Sequence, residues 1–93
     1  MRTIEKTKAF KKDYKLVASQ PEHMDTLDEA LMAAINLLRE DKPLPVVMKD
    51  HLLRGEWKGF RDCHIKNDLV MIYEKPDKST LHLVRLGSHS DLF

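Results

Sequence analysis

Cysteine is nearly absent from this chain. Cys63 is the only one, which excludes an intrachain disulfide and any zinc centre built from several thiolates of one chain. A lone thiol also fits a reducing cytoplasm. Long apolar runs are missing too: Met1-Arg2-Thr3-Ile4-Glu5-Lys6 is charged and short, unlike a secretory leader, and no stretch approaches transmembrane length. No internal repeat, linker or low-complexity tract is present. No His-x-x-x-His pair or other compact ligand motif points to a metal. No excess of one charge announces a polyanion binder, because the formal net charge is only +1.

What is present describes an ordered single domain, residues 1–93. A chain of 93 residues with 42% hydrophobic and 33% charged side chains builds one thin core, and such a domain often leans on a partner for stability. The charge is unevenly placed. Residues 1–18 carry +4 and residues 19–46 carry −4, so a basic first helix beside an acidic second one can steer a polyanion.

Periodicity gives the elements. Arg2 to Lys6 is a candidate strand, and Thr7 a candidate cap for a helix opening at Lys8. Phe10, Tyr14 and Val17 recur at four- and three-residue steps, leaving Lys8, Lys11, Lys12 and Lys15 as a basic outer face. Pro21 suits a first helical position. Met24, Leu27, Leu31, Ala34, Ile35 and Leu38 then mark a second helix, with Met24 and Met32 read as core filler. Pro43 and Pro45 end it. Beyond Pro45 the period becomes two. Asp50 to Gly55 reads as a loop. The next strand is expected to place Trp57, Gly59, Arg61, Cys63 and Ile65 on one face, with Lys58, Phe60, Asp62 and His64 on the other. Lys66-Asn67-Asp68 is a turn, Leu69 to Tyr73 a strand, Glu74 to Ser79 a hairpin loop and Thr80 to Leu86 a last strand, ended by Gly87. The order β-α-α-β-β-β predicts an α+β fold, a helical hairpin on one face of a mainly antiparallel sheet. Polar side chains can then gather on the uncovered face.

The second half of the chain is chemically rich. Metal-free RNA cleavage by attack of the ribose 2′-hydroxyl needs a base, an acid for the departing 5′-oxygen, and a cation for the phosphorane. Imidazoles titrate near working pH, positioned guanidinium donors stabilise developing charge, and an aromatic ring holds an unstacked base. His51, His64 and His89 are candidates for proton transfer, Arg61 and Arg85 for phosphate, and Trp57, Phe60 or Phe93 for stacking. Asp62 and Asp68 can orient an imidazole or touch substrate. Taken singly, each histidine is an ordinary surface or core residue. The rival reading is a metal site among His51, Asp62, His64, Asp68 and His89. Asp62 and His64 share one face opposite Arg61, which moves the phosphate role to Arg85.

Leu44-Pro45, Lys49-Asp50-His51-Leu52-Leu53, Gly55-Glu56-Trp57-Lys58-Gly59-Phe60-Arg61-Asp62-Cys63-His64-Ile65, the strand ending Ile72-Tyr73, and Arg85-Leu86-Gly87-Ser88-His89-Ser90-Asp91-Leu92-Phe93 together resemble YafQ-type toxins of the RelE/ParE superfamily. The likeness is specific from Pro43 onward and generic in the helices. It implies a RelE-like fold and a ribosome-dependent mRNA endoribonuclease, the toxin of a bacterial type II toxin–antitoxin pair, cleaving A-site codons without metal or cofactor. It maps proton-transfer and phosphate roles onto His51, His64, His89, Asp68 and Arg85, and substrate contacts onto Asp62, Phe93 and Lys58. Ribosomal RNA is expected to meet Lys8, Lys11, Lys12 and Lys15. The implied partners are the 70S ribosome with its mRNA and a small DNA-binding antitoxin in a heterotetramer or larger assembly, in the cytoplasm and away from membranes. This chain departs from the pattern at Leu69, where relatives often carry an aromatic, and at Val84 and Leu86, where polar residues are frequent. Two alternatives stand beside this reading: a ParE-like gyrase-binding toxin, which generally lacks this histidine set, and a decayed toxin that only binds its antitoxin.

Overall fold

Thr7 does what a cap must. In the computed structural model, which describes residues 1–93, its hydroxyl accepts the Phe10 N–H at 2.9 Å and donates to the Val84 carbonyl at 2.8 Å. It thereby closes the start of α1 (Lys8–Ala18) and ties it to the last strand. Before it lies β1 (Thr3–Lys6). The α1 stripe buries Phe10 and Val17 and leaves the four lysines exposed.

Helix α2 (Leu27–Arg39) buries Leu27, Leu31, Ala34, Ile35 and Leu38. Each large aliphatic side chain so buried contributes about 1.5–3 kcal/mol, more than any exposed ion pair on this surface. The helix opens later than its periodicity predicts. Residues 20–26 form turns, with the His23 N–H and Met24 N–H both bonded to the Gln20 carbonyl. His23 turns inward there, and Met24 is 63% exposed. Met32 also faces outward. Neither methionine is core filler: the buried stripe begins at Leu27 and leaves both off it.

The sheet order is β1-β5-β4-β3-β2, with β2 (His51–Leu52), β3 (Arg61–Lys66), β4 (Leu69–Glu74) and β5 (Thr80–Ser88). Only the β1–β5 pairing is parallel. Strand β4 lies between two neighbours and is buried from Leu69 to Tyr73, which explains its unbroken apolar run. Leu69, Met71 and Tyr73 join the core beneath the helices. Val70 and Ile72 face the other way, into a smaller cluster with Leu92, against which Leu53, Trp57, Phe60 and Val84 pack. The face opposite the helices therefore has its own apolar floor.

Three details differ from the sequence reading. His51–Leu52 is a strand, paired so that His51 stands opposite Asp62. Alternation starts at Arg61 and not at Trp57: residues 55–57 form a 3-10 turn, and Gly59 takes φ 95°, a conformation that favours glycine. Trp57 and Phe60 consequently share one face, edge to face with centroids 5.5 Å apart. After Gly87 the chain continues through Ser88 into a short helix, α3 (His89–Leu92), capped by the Ser88 hydroxyl.

Candidate active site

Three imidazoles meet on the face away from the helices. His51 comes from edge strand β2, His64 from the middle of β3 and His89 from the first position of α3. The rings of His64 and His89 lie 4.9 Å apart, tilted by 53°. Strand alternation turns His64 and Asp62 to this side, since Cys63 and Ile65 point into the main core. Leu92 holds α3 down on Val70 and Ile72, which brings His89 over the sheet.

Two of the imidazoles, His51 and His89, have oxygen partners. His89 Nδ1 lies 2.8 Å from Asp68 Oδ1 on the β3–β4 turn, and that hydrogen bond holds the Asp68 carboxyl below the usual range. His51 Nδ1 donates to the Lys49 carbonyl at 2.7 Å, with Asp62 Oδ1 3.0 Å away. That Asp62 oxygen receives no hydrogen bond: the His51 N–H is directed at Lys49, so the contact is electrostatic. Asp62 is 2% exposed. Burial raises its pKa, and the three histidines oppose the rise. His64 is pushed below the ordinary imidazole value by burial and then by His89.

The remaining candidates fall in different places. Phe93 is 54% exposed, its ring 6.0 Å from His89, so it borders the cluster. Trp57 and Phe60 are occupied with each other on the apolar floor. Lys58 is exposed at the end of the 55–57 turn. Arg85 is forked onto Asp13 of α1, Nε to Oδ2 at 2.7 Å and Nη2 to Oδ1 at 3.2 Å. It lines, with Asp13, Asp68 and Asp91, a cleft of about 440 Å³ between α1 and α3 whose only histidine is His23, so the structure does not bring Arg85 into the cluster of three imidazoles. Arg61 binds Asp50 (Nε to Oδ1, 3.1 Å), and the Tyr73 hydroxyl donates to the same oxygen. Sequence reasoning passed over Asp50 and Tyr73. The available signal was a tyrosine ending an aliphatic buried strand, since its hydroxyl needs a partner. No three His, Cys, Asp or Glu side chains stand where they could hold one metal ion.

An α+β domain presenting three imidazoles, two of them beside carboxylates, on one sheet face carries groups suited to proton transfer. The family model described as bacterial toxin of type II toxin–antitoxin system, YafQ, matches residues 2–93, and the chain belongs to that family. It is similar to the mRNA interferase toxin YafQ of Escherichia coli K12, with 40% identity over 92 residues covering 99% of this chain and 96% of the relative. Among solved structures, the metal-bound toxin from Helicobacter pylori superposes with TM-score 0.86 at 44% identity, covering both chains completely. The E. coli DinJ–YafQ complex gives TM-score 0.80 at 38% identity, covering 100% of this chain and 99% of the other. The fold expectation of a helical hairpin on a mainly antiparallel sheet is thus met, in the company of YafQ structures.

Proposed function

We propose that this toxin is a ribosome-dependent endoribonuclease that cleaves A-site mRNA by metal-independent acid–base attack of the ribose 2′-hydroxyl, and so arrests translation. The observation that carries the reading is the meeting of His51, His64 and His89, two of them with carboxylates at 2.8 and 3.0 Å. The related E. coli protein is named an mRNA interferase.

His51 acts as the base. Its Nδ1 proton is engaged by Lys49, which leaves the Nε2 lone pair free, and Asp62 stands by to stabilise the imidazolium once the proton arrives. His89, held in place by Asp68 at 2.8 Å, donates to the 5′-oxygen. His64 stays neutral between them and binds the phosphate or the 2′-hydroxyl. Arg85 neutralises the phosphorane, exchanging Asp13 for the substrate phosphate across the cleft that it lines. Phe93 stacks on the displaced base, and Lys58 contacts the message.

The partners follow from the same reading: the 70S ribosome in the cytoplasm, met by the exposed lysines of α1, and a small DNA-binding antitoxin in a heterotetramer or larger complex. The DinJ–YafQ structure supports a protein partner of that kind. No helix is long and apolar enough to cross a membrane.

The test is cleavage of ribosome-bound message in a purified translation system containing EDTA. The parent chain should cut, and His89→Ala should lose about 10²–10⁴-fold in rate with its fold intact. A fully active His89→Ala would overturn the acid assignment. Absence of cleavage by the parent, with antitoxin binding retained, would favour the silent interaction domain.

A further inference from the structure

His51 sits on a two-residue strand at the outer edge of the sheet. Its surroundings offer little restraint: Val46, Val47 and Leu52 are 94%, 78% and 60% exposed. Two residues of ladder do not hold a strand by themselves. Something else must set this ring, because a base displaced by 1 Å loses about 10²-fold in rate.

One residue earlier, Asp50 turns inward. Its Oδ1 accepts from Arg61 Nε at 3.1 Å and from the Tyr73 hydroxyl. Arg61 and Tyr73 stand opposite each other in the β3–β4 ladder. Tyr73 is 1% exposed, at the centre of the sheet. Lys49 then adopts the left-handed conformation, φ 49° and ψ 43°, and its carbonyl accepts the His51 Nδ1 proton. We propose that Asp50, anchored by Arg61 and Tyr73, is the positioning residue that fixes the place and tautomer of His51. The proposal deepens the reading of His51 as base and rests on it.

The connection runs from the buried phenol to the carboxylate, through one peptide unit to the left-handed lysine, and so to the imidazole. Arg61 belongs to this scaffold. Burial works against its charge, and the hydrogen bonds to Asp50 and Tyr73 outweigh that, leaving its pKa raised. With the anchor cut, the 49–52 segment frays and the ring samples both tautomers. Only one of them offers Nε2 as the proton acceptor.

Tyr73→Phe is the sharpest probe, because it removes one oxygen and keeps the ring in the core. Single-turnover cleavage at saturating ribosomes is measured for the parent, Tyr73→Phe, His51→Ala and the double variant. Tyr73→Phe should slow the parent about tenfold with KM changed less than about twofold. It should have no further effect in the His51→Ala background. Equal slowing in both backgrounds would overturn the proposal. Amide exchange of residues 49–52 gives a second readout that needs no catalysis: it should quicken in Tyr73→Phe and in Asp50→Ala. Unchanged exchange refutes the anchor, whereas quickened exchange with a fully active His51→Ala refutes only the base assignment.

Discussion

His89 Nδ1 and Asp68 Oδ1 stand 2.8 Å apart, and this contact joins a helix entered after β5 to the turn between β3 and β4. An imidazole so placed is fixed in orientation, which an acid aimed at one leaving oxygen needs. In Asp68→Asn the ring loses its charged anchor, so single-turnover cleavage should slow by about tenfold. The rate should fall less than in His89→Ala. Rates measured with ribosome-bound message check both; an unchanged rate in Asp68→Asn would detach Asp68 from the acid.

His64 carries the opposite bias. Burial first, and then the neighbouring His89, push its pKa below the ordinary 6.5. In an NMR titration its ring should protonate below that value, and in His89→Ala the midpoint should rise because a like charge is gone. The folded state accordingly binds this proton less readily than the unfolded chain. Stability from this group is complete above about pH 6.5 and declines as pH falls through the window down to the folded value.

Asp62 trades stability for chemistry. Its pKa is raised by burial, and Oδ1 has no hydrogen bond, so its charge at neutral pH costs folding free energy. Asp62→Asn should stabilise the protein at pH 7 by about 1 kcal/mol. The gain should shrink as pH falls toward the unfolded carboxyl value near 3.8, because the native residue is then protonated as well. Cleavage should slow at the same time, since the imidazolium formed on His51 loses its counter-charge. Thermal melts at several pH values and rate measurements test the two halves separately.

The lysines of α1 answer to salt. Reversing Lys8, Lys11, Lys12 and Lys15 to glutamate should weaken ribosome association and flatten its dependence on ionic strength. Their side chains are exposed, away from the core, so the melting temperature should hold. Ribosome binding unchanged across a salt series would return this face to plain solvation.

Much of the fold was legible because its elements obey simple periods. The Phe10–Val17 stripe, the Thr7 cap and the apolar run Leu69–Tyr73 all landed where spacing put them. The errors sit where tertiary contacts override spacing: Met24 continues the α2 stripe on paper, yet the inward turn of His23 takes its place. Trp57 fits the strand alternation by count, but the turn at residues 55–57 and the backbone at Gly59 rotate it onto the side of Phe60. The three histidines were visible as candidates, and the family resemblance grouped them into one site, but no local spacing shows their juxtaposition. It depends on Leu92 docking α3 against Val70 and Ile72, a contact with no sequence period. Asp50 and Tyr73 lie twenty-three residues apart, and nothing local couples them.

Strand β5 is the last of the five in sequence, yet it lies between β1 and β4. Until residues 80–83 have been synthesised, β1 has no neighbour in the sheet, and His89 follows β5 directly. The β1–β5 pairing, Thr3 with Thr80 through Lys6 with Leu83, is therefore a long-range closure, the slow kind of topology. The three imidazoles accordingly come together only once the β5–α3 segment has docked on strands that precede it in the chain.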